Sequence, residues 1–324
     1  MQAYGAERAA LKVTFERCVR WLRKGVLPVI VLEGSGGGRA SRTFSRGRGA
    51  LGSAFAAQPQ VQALLLALGI PCVNAEGEAE ATCAALVAAG DCDFVATTDF
   101  DAILFGAPRV LRELDLLQGV ASTCELWEAA TIESVTGLNR HALVAAAFLA
   151  GCDYDCRSLT RRTSHDGEGV RGVGARQAVK IAHALSIESS GDALQALAGR
   201  FFDARIPEVS TSRKLGRTMS APEAQTTRQD SFSDLADAKK KAQTSRMLSR
   251  TMSRAEEDPR CREGFTAAVR QYNRVVSGAM SACTADQPFT WKGVDDADAE
   301  KILNKVFPGR AYEKLDPLHL EWVL

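Results

Sequence analysis

The sequence predicts an α/β protein in which a parallel sheet is flanked by helices. Short apolar runs rich in β-branched residues alternate along the chain with longer stretches of helical periodicity, which is typical of parallel βαβ units. Acidic residues directly follow two of the short runs, where such sheets gather their functional groups. Aromatic residues make up only 6% of the chain, which favours closely packed helices over a β-sandwich.

Each element is predicted from its own local pattern. A helix over 7–25 has one apolar face and stops at Gly25, and the continuous apolar run 26–32 predicts a strand buried on both faces. The Ala-rich stretch 78–89 predicts a helix that Gly90 ends. The same patterns predict further strands at 70–73, 93–98 and 110–114, and further helices at 60–68, 132–136, 140–150 and 175–185.

Composition excludes several classes of protein. With 46% hydrophobic and 24% charged residues, the chain is neither fibrous nor wholly disordered. The longest apolar run, 143–152, is far shorter than a membrane helix needs, so no membrane partner is expected. The nine cysteines form no CxxC pair, which favours buried thiols over disulfides. A zinc site at Cys152, Cys156 and His165 is a weak alternative.

Charge is strongly segregated along the chain. Residues 1–50 carry 10 Lys and Arg against 3 Asp and Glu, whereas residues 51–153 carry 3 against 13. An acidic middle after a basic flank suits a metal cluster that acts on a polyanion. The simpler alternative is a solvated acidic surface.

Carboxylates are concentrated at the ends of predicted strands and the start of one helix. Glu33 follows a strand, Glu78 and Glu80 open the helix at 78–89, and Asp99 and Asp101 follow another strand. Strand alternation predicts that Asp99 and Asp101 share one side while Phe100 packs on the other. Helix capping explains one carboxylate of the helix start but not the whole set. Gathered carboxylates repel unless a cation neutralises them, and Mg²⁺ is the natural choice.

A glycine-rich turn precedes the helix predicted at 175–185. The segment Gly169-Val170-Arg171-Gly172-Val173-Gly174 resembles a helix–hairpin–helix turn, whose glycines let backbone groups approach a phosphate. Arg176 and Lys180 add positive charge after it. An ordinary tight turn would show the same glycines.

Taken together, these motifs resemble the XPG-type structure-specific 5′-nuclease family, which includes flap endonucleases and Holliday-junction resolvases. The resemblance is carried, in order, by Val31-Leu32-Glu33-Gly34, Gly77-Glu78-Ala79-Glu80-Ala81, Thr98-Asp99-Phe100-Asp101-Ala102, Gly151-Cys152-Asp153-Tyr154 and the 169–174 turn. It implies a PIN-like sheet, a helix–hairpin–helix region of the H2TH type and a mostly helical C-terminal part. It implies two Mg²⁺ ions, with Mn²⁺ as a substitute, and catalytic metal ligands at Glu33, Glu78, Glu80, Asp99, Asp101 and Asp153.

The resemblance also implies how the chain engages DNA. The expected partner is branched or flapped double-stranded DNA, bound during repair or recombination in the nucleus, with K⁺ at the hairpin loop and a dimer induced by the junction. The implied DNA contacts are Arg39, Arg42, Arg46 and Arg48 of an arch-like tract at 35–58, and Gly169, Arg171, Gly172, Gly174, Arg176 and Lys180 of the hairpin region. No sliding-clamp motif is seen.

The predicted organisation is a nuclease core at 1–153, a hairpin region at 154–204, a disordered Ser/Thr-rich insertion at 205–258 and a helical region at 259–324. Glu33, where flap endonucleases carry Asp, favours the resolvase-like branch. In the family, a strand with an essential Asp precedes the Val31–Gly34 segment, and the given chain starts after it. Hydrolysis by this chain is therefore expected to be weak. A DNA-binding relative that has lost catalysis is the main alternative, and an RNA-directed PIN-like nuclease is a weaker one.

Overall fold

The computed structural model describes residues 2–34, 57–112, 124–152, 169–170, 173–188, 190–202, 246, 259–281, 289–290 and 292–309. Apart from Arg246, the insertion predicted to be disordered lies outside these residues. The helices are α1 (Gln2–Leu22), α2 (Gln58–Ala67), α3 (Ala79–Ala89), α4 (Asp101–Leu104), α5 (Ala129–Thr136), α6 (Arg140–Ala150), α7 (Ala175–Glu188), α8 (Ala193–Phe202), α9 (Pro259–Ser281) and α10 (Asp296–Leu303). The strands are β1 (Ile30–Leu32), β2 (Cys72–Asn74), β3 (Val95–Ala96), β4 (Arg109–Arg112) and β5 (Glu125–Glu128).

The strands confirm the predicted parallel pairing. β1 pairs with β2 in parallel, with Val31 opposite Val73, and β3 pairs with β4 in parallel. β5, which the sequence analysis did not predict, pairs with β4 in antiparallel orientation and ends the three-stranded sheet β3–β4–β5. In the described part of the chain, therefore, the strands form two sheets, a parallel pair and a mixed sheet of three strands.

The first strand is shorter than its apolar run predicts. The run 26–32 contains Pro28, which has no N–H to donate to a sheet, and β1 begins only after it. The Val26 N–H instead donates to the Trp21 carbonyl at 3.0 Å, so the start of the run serves to end α1. Only the last three residues of the run, Ile30–Leu32, form a strand.

The chain divides into two compact units, Met1–Ile132 with Gln271–Leu324, and Glu133–Arg270. In the first unit, buried side chains of α1, α2 and α10 form a core that includes Leu11, Leu64 and Leu303. Phe15 meets Phe307 edge to face at 5.9 Å, and the Arg8 Nη2 donates to the Val306 carbonyl at 2.9 Å. Residues after 292 therefore complete the core that the first helices begin.

The second unit is built around α6, α7 and α8. Small side chains such as Ala142, Ala145 and Ala178 are fully buried between these helices, as the Ala-rich composition predicts. Asn139 fixes the start of α6, because its Oδ1 accepts from the Ala142 N–H at 2.9 Å while its Nδ2 donates to the Gly191 carbonyl. The predicted domain boundary at 153 stays a prediction, since residues 153–168 lie outside the described part.

No helix among the described residues combines the length and the apolar character that a membrane crossing requires.

Candidate metal centre and DNA-binding loop

Glu33 lies where β1 meets the start of α3. Gly34 sits so close to the backbone of residues 75 and 76 that a side chain there would overlap it, and its N–H donates to the Gly77 carbonyl at 2.9 Å. This contact fixes Glu33 beside the helix, and its Oε2 accepts from the Ala79 N–H at 3.0 Å. Glu33 thus satisfies one of the free N–H groups that open α3.

The start of α3 therefore differs from the predicted capping arrangement. Glu78 occupies the N-cap position in extended conformation, yet its side chain makes no capping hydrogen bond. The carboxylate that reaches the first turn belongs instead to Glu33, 46 residues earlier in the chain. Glu78 is only 2% exposed, and Glu80, two residues later in the first turn of the helix, is half-buried. A buried carboxylate at a helix N-terminus is favoured by the helix dipole, and a bound cation would stabilise it further.

The pKa of the Cys83 thiol reflects the nearby carboxylates of Glu33 and Glu80. Burial first, and then the negative charges of Glu80 and Glu33, raise the pKa of the Cys83 thiol to about 12. Because both charges act on one thiol, Glu33 and Glu80 share the same neighbourhood in the first turns of α3. The sequence analysis did not single out Cys83, and nothing in its local pattern marks it.

Asp99 and Asp101 stand on a turn that leads into α4. β3 ends at Ala96, and Phe100 has helical backbone angles, so the alternation of an extended strand does not govern this pair as predicted. The Asp99 N–H donates to Thr97 Oγ1, and Asp99 Oδ1 accepts from the Asp101 N–H, both at 3.1 Å. The Asp99 carboxylate therefore forms a local side-chain-to-backbone turn just before α4, which the short polar side chain of Asp favours. The Phe100 ring packs against Trp127.

These acidic residues stand on elements that pack together, since α3 contacts β1, β3 and α4. Within the described ranges, however, no three His, Cys, Asp or Glu side chains are placed to hold one metal ion. Asp153, the sixth predicted ligand, lies outside those ranges. The donor chemistry fits Mg²⁺, because Glu33, Glu78, Glu80, Asp99 and Asp101 all offer hard carboxylate oxygens. The metal cluster itself stays a prediction.

The predicted hairpin loop has one closed end and one open end. Gly169 is buried against the backbone of residues 149–151, where a side chain would overlap the end of α6, and the Val170 N–H donates to the Leu149 carbonyl at 2.8 Å. Gly174 is exposed, and a side chain there would meet nothing within 4 Å. Its carbonyl accepts from the Gln177 and Ala178 N–H groups, so it opens α7. Packing thus requires a glycine at position 169, whereas Gly174 leaves the start of α7 accessible.

The basic residues of the predicted DNA surface are only partly described. Arg176 and Lys180 are exposed one turn apart on α7. The remaining members lie outside the described residues: Arg39, Arg42, Arg46, Arg48, Arg171 and Gly172. Their role in DNA binding stays a prediction.

Two long-range contacts at the Asp99–Asp101 turn were not predicted. The Trp127 ring meets Phe100 edge to face with centroids 5.3 Å apart, and the Tyr272 hydroxyl donates to the Leu104 carbonyl at 2.6 Å. Tyr272 also stacks on Phe105 at 5.8 Å. The alternation of Glu125-Leu126-Trp127-Glu128 is a signal that could have indicated β5. A contact between residues 168 positions apart leaves no signal in a single sequence.

Comparison with known proteins identifies the region that carries these acidic residues. Residues 69–153 match the XPG I-region family model. The chain is 40% identical over 126 residues to flap endonuclease GEN homolog 1 of Homo sapiens, covering 39% of this chain and 13% of that protein. It is 39% identical over 118 residues to flap endonuclease 1 of Methanothermobacter thermautotrophicus, covering 36% of this chain and 32% of that one. The chain thus spans about a third or less of the length of these relatives.

Solved structures show the same fold. The catalytic core of Rad2 in complex with DNA substrate superposes with a TM-score of 0.57 at 19% identity, covering 94% of this chain and 83% of that core. Human GEN1 in complex with Holliday-junction DNA gives a TM-score of 0.58 at 23% identity, covering 95% of this chain and 64% of that one. A further GEN1 structure, with product DNA, Mg²⁺ and Mn²⁺ ions, gives 0.50 at 21% identity over 95% of this chain and 62% of that one. The predicted resemblance to XPG-type nucleases and the predicted fold class are confirmed.

Proposed function

Since residues 69–153 are an XPG I-region, we propose that this chain acts as a Mg²⁺-dependent, structure-specific DNA endonuclease that cleaves phosphodiester bonds at branched DNA. The observation that carries the proposal is the position of the carboxylates within that region. Glu78 and Glu80 open α3, Asp99 and Asp101 open α4, and α3 packs against α4. A nuclease of this kind needs carboxylates gathered from separate elements to hold its metal ions.

The proposed ligand set is Glu33, Glu78, Glu80, Asp99, Asp101 and Asp153. Two bound Mg²⁺ ions would stabilise the attacking and leaving oxygens during phosphodiester cleavage. The chain's own part is to hold hard oxygen donors in place. The helix start orients Glu33 through the Ala79 N–H, and the Asp101 N–H orients Asp99. Six carboxylates exceed the four positive charges of two such ions, so the site would bind them without a further anion. The GEN1 structure with Mg²⁺ and Mn²⁺ supports the choice of metal.

The grip on DNA is assigned to the second unit. The exposed start of α7 presents backbone N–H groups after Gly174, with Arg176 and Lys180 close by in sequence, and such a helix start suits a phosphate. A GEN-1 structure with potassium supports a role for K⁺, which we assign to the hairpin loop. The arginines of the 35–58 tract are proposed as separate DNA contacts of the first unit. Duplex DNA next to a branch is the substrate class that this arrangement suits.

The resolvase-like branch is proposed from Glu33. The identities to the GEN homologue and to flap endonuclease 1, 40% and 39%, do not separate the two groups. Glu33 in place of Asp supports the resolvase-like group, and with it a Holliday junction as substrate, a junction-induced dimer and a nuclear location.

A DNA-binding protein that has lost catalysis is the second candidate. The observation that favours it is that no three metal-ligating side chains come together within the described ranges. Under this alternative the hairpin region binds branched DNA, and Glu33 and Asp99 serve mainly as hydrogen-bond acceptors for the N–H groups of Ala79 and Asp101.

Substitution of the turn before α4 distinguishes the two candidates. Asp99→Asn and Asp101→Asn each keep the size of the side chain and remove its charge. We expect both to abolish Mg²⁺-dependent nicking of a four-way junction while junction binding stays within a few-fold, because the phosphate grip lies elsewhere. Nicking by purified parent and variants is followed on gels, and binding by mobility shift.

The exposed Asp93→Asn is the matched control, since it removes a carboxylate outside the predicted set. It should nick at the parental rate. A parent chain that binds junctions but does not nick them would favour the non-catalytic alternative. Nicking that survives both Asp99→Asn and Asp101→Asn would remove these residues from the site.

A further inference from the structure

Trp127 connects the edge strand of the second sheet to the Asp99–Asp101 turn. On β5 it lies opposite Val110 of β4, so the antiparallel ladder fixes its backbone. Its ring meets the Phe100 ring with centroids 5.3 Å apart and planes inclined at 63°, an edge-to-face geometry that aromatic pairs favour. Phe100 is the residue between the two aspartates. The indole therefore contacts the only side chain that separates Asp99 from Asp101 in the chain.

Arg112 packs over the ring of Trp127. Its guanidinium carbon lies 4.0 Å from the centre of the Trp127 ring, within the range of a cation–π interaction. Its Nη1 lies 3.4 Å from Glu125 Oε2, across the ladder from it. The Arg112 Nε is buried without a hydrogen-bond partner in the described part of the chain. The stacking on Trp127 and the pairing with Glu125 are thus the interactions that position the guanidinium.

The turn is held by two side-chain hydrogen bonds and by the start of α4, where the Ile103 N–H donates to the Phe100 carbonyl at 3.0 Å. The Asp101 N–H donates to Asp99 Oδ1 and the Asp99 N–H donates to Thr97 Oγ1, both at 3.1 Å. Phe100 stands between these bonds with helical backbone angles. A rotation about the backbone of Phe100 would therefore displace both carboxylates relative to each other. The contact with Trp127 opposes that rotation from outside the turn.

We propose that Trp127 is a positioning residue, which fixes the Asp99–Asp101 segment through Phe100 and is itself held by Arg112. The expected effect of Trp127 on metal binding rests on the proposed function, which assigns the two carboxylates as ligands. The expected effect of Trp127 on the conformation of the turn is independent of that function. A group that orients metal ligands is expected to change metal affinity about 10-fold or more when it is removed.

The test compares three variants of the full chain. Trp127→Ala removes the ring, and Trp127→Phe keeps an aromatic partner for Phe100. Val61→Ala, a truncation in the core between α1, α2 and α10, is the control for a general loss of stability. Amide hydrogen exchange of the 97–101 segment is measured without metal. Mn²⁺ affinity is measured in a titration by the decrease in the electron paramagnetic resonance signal of unbound Mn²⁺.

We expect Trp127→Ala to speed exchange at Asp99 and Asp101 and to raise the Mn²⁺ dissociation constant about 10-fold. Trp127→Phe should stay near the parent in both measurements, as should Val61→Ala despite its lower melting temperature. Unchanged exchange in Trp127→Ala would overturn the positioning role whatever the metal does. A parent that binds no Mn²⁺ would overturn the proposed metal site instead, and exchange alone would then decide the role of Trp127.

Discussion

At the scale of single residues, Glu33 combines a predicted role with an observed hydrogen bond. It is a predicted metal ligand, and its Oε2 also accepts the Ala79 N–H that opens α3. The carboxyl group of Glu33 is thus tied to the helix that carries Glu78 and Glu80. A residue with both functions is hard to interpret from one substitution, because loss of activity could follow from loss of the cap.

Two substitutions of Glu33 separate these functions. Glu33→Gln keeps an oxygen acceptor for the Ala79 N–H and removes the charge, whereas Glu33→Ala removes both. We expect Glu33→Ala to lower the free energy of unfolding by about 1 kcal/mol, the usual cost of a lost helix cap. Glu33→Gln should unfold close to the parent and yet lose Mg²⁺-dependent nicking. Urea unfolding and junction nicking measure the two effects.

Equal unfolding midpoints for the parent and Glu33→Ala would show that the hydrogen bond to Ala79 contributes nothing to stability. Full nicking activity in Glu33→Gln would exclude Glu33 as a metal ligand.

At the scale of elements, the two glycines that bracket the predicted hairpin have different tasks. Gly169 is needed by the fold, since a side chain there would overlap the backbone at the end of α6. Gly174 is not, because the space beside it is open and it lies at the exposed start of α7. A glycine that packing does not require is a good position at which to test ligand approach.

Gly174→Val should leave the melting temperature close to that of the parent and weaken binding to every duplex-containing substrate, because its side chain blocks the approach of a phosphate to the helix start. Gly169→Val is the contrasting variant and should lower the melting temperature markedly. In the same assay, Arg176→Gln should reduce the slope of log affinity against log salt by about 0.9. Calorimetry and binding across a salt series provide these values. Normal affinity in Gly174→Val would show that the loop is structural only.

Local patterns predicted most of the elements and missed those that depend on distant partners. The helices at 79–89 and 140–150 were predicted nearly to the residue, because Gly90 and Asn139 mark their ends. β1 was predicted too long because Pro28 interrupts the hydrogen bonding of an otherwise apolar run. β5 was missed because its four residues become a strand only by pairing with β4. Pairing between segments is not encoded in either segment alone.

At the scale of the whole molecule, distant parts of the chain meet around the candidate centre. In the first unit, Tyr272 of α9 stacks on Phe105 and bonds the Leu104 carbonyl, and both residues directly follow the Asp99–Asp101 turn. The five described carboxylates lie at a strand end, at a helix start or on a turn, positions that local pattern reveals, and their role as metal ligands stays a prediction. The contacts of Trp127 and Tyr272 were not predictable, because only the folded chain brings them to the turn.

The central claim is that Glu33 and the five predicted carboxylates within the residues that match the XPG I-region model hold divalent metal ions. Its most direct test is an anomalous-difference map from crystals of this chain grown with Mn²⁺. Two peaks about 4 Å apart, each bound by oxygens of the predicted set, Glu33, Glu78, Glu80, Asp99, Asp101 and Asp153, are the predicted result. Mn²⁺ bound only elsewhere, with Glu33 and Asp99 still accepting from the Ala79 and Asp101 N–H groups, would contradict it.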